Sequence, residues 1–194
     1  MIFDPITVCN LDLSNRFVRS ATHEFMAEKD GSPTLKLGDL YEELAKNEVG
    51  LIITGFSYVL PGGKSIIYQQ SIYDDRFIEP YMKITEIVHR YRSKIILQIV
   101  HGGRQAAVSE EYPVPIAPSK IKADVSAVIP REMTEHDILE VIEAFKKAAI
   151  RAKKAGFDVV QLHCAHGFLL SNFSSPYTNR RTDLWGAQLK IGQE

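Results

Sequence analysis

Four short runs rich in branched apolar residues, at 16–21, 49–54, 94–100 and 157–162, are separated by stretches in which apolar residues return every three or four positions. Strands that alternate with helices pair in parallel, because each helix carries the chain back to begin the next strand on the same side. The spacing therefore predicts a βα repeat with helices packed on a parallel sheet. Ser32 is placed to cap a first helix with Pro33 at its first position, and Leu37, Leu40, Tyr41 and Leu44 form one apolar stripe. A second helix begins at about Asp75, with Ile78, Tyr81, Met82, Val88 and Tyr91 at helical spacing. Thr134 and Asp137 make a capping box for a third, on which Ile138, Val141, Ile142, Phe145 and Ala149 are expected to face inward. These stripes are read as core and carry no chemistry.

The last strand leads into a polar loop. Its two-residue period puts Val159, Gln161 and His163 on one face and Asp158, Val160 and Leu162 on the other. Beyond it, Ala165 and Gly167 allow a turn that brings His166 round to the side of His163, so that two imidazoles can grip one oxygen. In parallel barrels the chemistry sits in such loops, at the C-terminal ends of the strands. Other readings stay open: structural histidines, or a zinc site with His101 as third ligand. No H-E-x-x-H or paired C-x-x-C is present, and no metal site is assigned. Cys9 and Cys164 are too few for a disulfide scaffold, and Cys164 is read as a small packed residue rather than a nucleophile. The proline-rich segment 102–133 is longer than a connection needs and is expected to cover the catalytic face.

Charge narrows the partners. Lys plus Arg number 23 against 24 Asp plus Glu, a net charge of -1, which gives no field to recruit nucleic acid or anionic lipid. No apolar run approaches the roughly 20 residues of a membrane helix. The start, MIFDPITVCN, lacks a basic region leading into an apolar core, so a cytoplasmic location is expected.

The stretch HCAHGFLLSNFSSPYTNRRTDLWG fits H-x-A-H-G-aromatic-L followed by F-x-S-P-x-x-N-x-R-x-D-x-aromatic-G. With FDPITVCNLDLSNRFVRSATHEFMA, GLIITGFSYVLPGG, LQIVHGGR, PVPIAPS and PREMTEHDI, it resembles the old yellow enzyme family of FMN-dependent NAD(P)H oxidoreductases. The resemblance implies a (β/α)8 barrel and hydride transfer from NAD(P)H through FMN to an enone or quinone-like acceptor. It implies that His163 and His166 hold the acceptor's carbonyl oxygen. It places the flavin against Ser20, Ala21, Thr22, Gly55 and Gln98, with Gln98 on the pyrimidine edge of the ring. Asn179, Arg181 and Asp183 are read as holding the loop. His23 and Glu24 are read as an exposed pair, and His89 and His136 as surface residues. One position departs from the family: where a tyrosine commonly protonates the substrate, this chain has Phe168.

A complete eight-unit barrel takes about 250 residues. The four runs here account for about the first four units, and residues 1–186 are read as the N-terminal half of a barrel, with 187–194 departing from the family pattern. The loops expected to hold the flavin phosphate follow later strands. A non-catalytic half-barrel that binds flavin weakly or not at all is the alternative expectation, with a metal-dependent hydrolase further out. Unpaired edges would favour a homo-oligomer.

Overall fold

In the computed structural model, which describes residues 1–187, the chain opens with an antiparallel hairpin of β1 (Ile6–Val8) and β2 (Leu11–Leu13). The βα repeat follows: β3 (Val18–Arg19), α1 (Leu35–Lys46), β4 (Leu51–Ile53) with its extension β5 (Ser57–Tyr58), α2 (Ile78–His89) and β6 (Lys94–Val100). Next come the short parallel pair β7 (Ile116–Ala117) and β8 (Arg131–Glu132), then α3 (Glu135–Lys154), β9 (Val159–Leu162) and α4 (Leu169–Ser174). β3, β4, β6 and β9 lie side by side in one parallel sheet, with β5 continuing the β4 path along β6. This is the arc of a parallel barrel, as the alternating pattern predicts.

The outer face of the arc carries the main core. Ile52, Ile95, Leu97 and Ile99 point to one side and meet Leu37 and Tyr41 of α1, Tyr81, Ile84 and Val88 of α2, and Ala144, Ala148 and Ala152 of α3. At the lower end of the opposite face, Leu51 and Ile96 are covered by Leu13, with Leu11 and Ile6 packed beside it. The hairpin therefore closes the floor, a role the sequence pattern did not show.

Several local expectations are corrected. Thr34, not Ser32, caps α1: its Oγ1 accepts from Leu37 N–H at 3.2 Å and donates to Met26 O at 2.6 Å. Ser32 instead donates to Asp30. The edge strand β3 holds two paired residues rather than six, since only one side of it is bonded. On α2, Met82 faces outward, and Ile84 and Thr85 are buried in its place. On α3 the capping box forms, with Arg131 adding two bonds to Asp137 at 2.7 and 2.9 Å that hold its carboxyl well below the usual range. Ile138 and Val141 are buried and Phe145 packs against the core as expected, but the rest of the buried line is rotated onto Ala144, Ala148 and Ala152, and Ile142 is 48% exposed.

The rotation gives a direct test. Ala148→Leu should overpack the helix against the sheet and cost about 1–3 kcal/mol. Ile142→Ala should stay within about 0.5 kcal/mol. Urea unfolding of the two variants measures both.

Candidate active site

All four strands of the arc run the same way, so the segments after β3, β4, β6 and β9 gather at one end. Gln98 and Gln161 sit opposite each other on the face away from the helices, and Gln98 Nε2 donates to Gln161 Oε1 at 2.7 Å. Among the described residues, Gln98 Oε1 and Gln161 Nε2 keep no partner, which leaves one acceptor and one donor side by side on the concave face. Thr22 and Ser20 lie exposed at the end of β3, with the Thr22 hydroxyl bonded to Ser20 O at 3.2 Å, and Ala21 stands half-buried between them.

Above this pair, His163 is 6% exposed. Its Nδ1 accepts from Ala165 N–H at 3.3 Å, so the neutral ring carries its proton on Nε2. Burial, and then the nearby charge of His166, push the pKa of His163 down. His166 takes a left-handed backbone (φ 58°), as does Gly167 after it (φ 74°), and this double turn brings the two imidazoles to 5.2 Å between centroids. The Gln105 amide donates to His166 O at 2.7 Å and fixes the turn. Phe168 and Phe56 wall the pair, with ring centroids 4.8 and 5.8 Å from His163.

His101 does not join them. It is 1% exposed and lines a separate cavity with Arg131, Asp137 and Glu140, and burial pushes its pKa down to about 4. Among the described residues no group of three His, Cys, Asp or Glu is placed to hold a metal, so the zinc reading loses its third ligand. Cys164 is exposed rather than packed.

The largest correction concerns Glu24. Its side chain is 3% exposed, not a loop carboxylate in solvent, and it pairs with Arg19 at 2.9 Å. It also accepts from Tyr41 Oη at 2.8 Å, Gln70 Nε2 at 3.1 Å and Gly55 N–H at 3.2 Å. Burial and then the Glu24 charge raise the Tyr41 pKa well above its usual value, so the phenol stays a donor. Gly55 is explained from the same centre: a Cβ there would lie 2.2 Å from Glu24 Oε2. His23 is half-buried, its ring 3.9 Å from Phe25 and 5.2 Å from Phe56. His89 is exposed but bonds Asp158 at 2.9 Å, while His136 is exposed in the first turn of α3. Asn179 bonds Phe173 O and Trp185 O, and Arg181 bonds Met133 O and pairs with Asp183, which holds the loop after β9.

The chain is thus a parallel arc with paired amides on its concave face and two imidazoles at its C-terminal rim. The chain belongs to the NADH:flavin oxidoreductase / NADH oxidase family, whose model matches residues 1–190. It is 40% identical over 186 residues to the NADPH dehydrogenase of Bacillus subtilis (strain 168), covering 95% of this chain and 54% of that protein. It is 39% identical over 191 residues to the NADH oxidase of Thermoanaerobacter brockii, covering 97% of this chain and 29% of that protein. Among solved structures it resembles the Old Yellow Enzyme from Pichia sp. AKU4542 with a TM-score of 0.89 and 32% identity, over 96% of this chain and 52% of the other. Morphinone reductase in complex with tetrahydroNAD matches with a TM-score of 0.89 and 29% identity, over 96% and 55%. The chain thus spans about half the length of most of these relatives, and the fold is that of their TIM barrels. The family is FMN-dependent. The uncommitted donor and acceptor of Gln161 and Gln98 fit the alternating polar edge of a flavin ring.

Glu24→Gln should destabilise the fold by about 3 kcal/mol or more, because it leaves Arg19 without its buried charge partner. Gly55→Ala should be costly alone and less so combined with Glu24→Ala, a coupling that denaturant unfolding of the double-mutant cycle measures.

Proposed function

We infer that this chain carries the ring side of an FMN site and the carbonyl-holding half of an NAD(P)H-dependent oxidoreductase site. The observation that carries the reading is the His163 ring, fixed by the Ala165 N–H so that its proton is on Nε2, with His166 turned beside it. Two such donors hold an acceptor's carbonyl oxygen and stabilise the negative charge that grows there as its β-carbon is reduced. A neutral His163 suits this work, since its lowered pKa keeps it an uncharged donor near neutral pH. Gln98, with Thr22, Ser20 and Ala21 at the end of β3, would hold the flavin ring, and Gly55 would keep the neighbouring backbone free of a side chain. When bound, FMN supplies the redox chemistry, accepting hydride from NADH or NADPH and delivering it to the acceptor. The complex of morphinone reductase with tetrahydroNAD supports a nicotinamide reductant.

Phe168 favours one class of acceptor. It stands against His163 where a proton donor to carbon would be useful, and phenylalanine has none to give. A quinone-like acceptor is protonated on oxygen, which water does freely, whereas reduction of an enone needs a proton on its α-carbon. We therefore place quinone-like acceptors ahead of enones. Within this reading residues 1–186 are the N-terminal half of a barrel, and the departure at 187–194 lies almost wholly outside the described residues. The sides of β3 and β9 that are free among the described residues would pair with another polypeptide, a second copy of the chain included. No helix among the described residues is long and apolar enough to cross a membrane, and the balanced charge supports a protein that binds small molecules rather than polyanions.

Two experiments test this. In the FMN-loaded protein, His163→Ala should weaken phenol binding by about tenfold, the worth of one good hydrogen bond to a charged or strongly polar acceptor; unchanged affinity by calorimetry removes the role. Phe168→Tyr should raise enone reduction by up to about 10²-fold to 10⁴-fold while leaving quinone reduction nearly constant. Equal effects on both acceptors would show that carbon protonation is not what Phe168 limits.

A further inference from the structure

The cavity at His101 takes no part in the site around His163 and His166. It encloses about 400 Å³ between the turn Pro61–Gly63, the segment after β6 and the first two turns of α3. His101 is its most buried polar side chain, at 1% exposed. Its Nδ1 accepts from Gly103 N–H at 3.1 Å, which leaves the proton of the neutral ring on Nε2. That N–H has no partner among the described residues, yet it is not sealed off as the Ser71 hydroxyl is, so it opens on the cavity. A buried donor left without an acceptor costs free energy, which a ligand atom in the cavity would restore.

The rim carries a different chemistry. Arg131 lines the cavity, but its two terminal nitrogens are taken by Asp137 at 2.7 and 2.9 Å. Glu111 and Glu140 stand exposed with no cationic partner among the described residues, which leaves the rim negative. Burial first, then Glu111 beside it, and more weakly Tyr73 and Glu140 raise the Tyr112 pKa, so one phenol feels both carboxylates. The turn that bears Glu111 and Tyr112 is closed by Ser109, whose N–H donates to Tyr112 O and whose hydroxyl accepts from Tyr112 N–H, both at 3.1 Å. A Cβ on Gly62 would lie 2.9 Å from the Tyr112 ring, and one on Gly63 would lie 2.5 Å from the His101 ring. These adjacent glycines let both rings close on one turn. Two uncompensated carboxylates beside an aromatic ring attract an ammonium group, and the walls between rim and His101 are apolar, through Leu60, Val114 and Ile116.

We propose that this cavity binds a small organic amine that carries a hydrogen-bond acceptor at the end remote from its charge. The ammonium group sits at Glu111 and Glu140 against Tyr112, the apolar body lies along Leu60, Val114 and Ile116, and the acceptor takes the Nε2–H of His101. The site is separate from the imidazole pair and needs no flavin.

Calorimetry on the full chain near neutral pH, where the amine is charged, tests this with the 4-pyridylalkylamines from methyl to butyl, whose ring nitrogen is the acceptor. At least one member should bind saturably, and its phenyl analogue, which lacks the acceptor, about fivefold more weakly. Glu111→Gln and Glu140→Gln, both at exposed positions, should each weaken binding about twofold to fivefold, and together more than either alone. Glu86→Gln, an exposed carboxylate on α2, should leave it unchanged. If no member of the series binds, if affinity survives the double substitution, or if the phenyl analogues bind as tightly as the pyridyl ones, the site is overturned. None of these outcomes bears on the role of His163 and His166.

Discussion

The buried carboxylate of Glu24 is the interaction on which the rest of the arc depends. A carboxylate out of water needs opposite charge and several donors at once, and here they come from Arg19 on β3, Tyr41 on α1, Gln70 ahead of α2 and the Gly55 N–H after β4. Gln70 and Ser57 in turn bond the Tyr81 phenol on α2, so one network joins two helices to three strand ends. The loop after β3 is thereby fixed in place. Ser20, Ala21 and Thr22, which precede it, are held at the rim of the concave face, and the closeness of Glu24 to Gly55 leaves no room for a side chain there. The site's geometry is thus a consequence of where one charge is buried.

The second constraint is the double left-handed turn at His166 and Gly167. Without it the two imidazoles would diverge, as residues three apart do at the end of a strand. With it they face one another behind a wall of Phe56 and Phe168, and the Ala165 N–H settles which nitrogen of His163 keeps the proton. Burial then keeps that ring neutral. What remains is a pair of imidazoles behind an aromatic wall, with no group on Phe168 to protonate carbon.

Much of this was legible in the chain. The four strand runs fell where the sheet has them, because branched apolar runs between amphipathic helices have few other uses. The ends were less legible, since β3 is paired on one side only and Thr34 outcompetes Ser32 as a cap through its tertiary bond to Met26 O. The α3 stripe was misread in part, at Ile142, because size was taken for burial. The helix lies close against its neighbours, which favours Ala144, Ala148 and Ala152, and Ile142 is left in an apolar groove with Leu162, Leu170, Phe173 and Trp185. The floor hairpin was missed because two three-residue strands show too little of a two-residue period. Glu24 was misread for a different reason: its partners lie up to 46 positions away, and only Tyr41, a hydroxyl-bearing ring on the apolar stripe of α1, hinted that a buried acceptor was needed.

The central claim is that this stretch of chain holds the ring of the flavin, through Gln98 and the end of β3, while the described residues include none of the later loops that hold a phosphate in barrels of this kind. Titrating the chain with riboflavin and with FMN, followed by flavin fluorescence, tests it most directly. The account predicts saturable binding of both with affinities within a few-fold of each other, weakened alike by Gln98→Ala. Failure of either flavin to bind, or a preference for FMN of more than about tenfold, would contradict it.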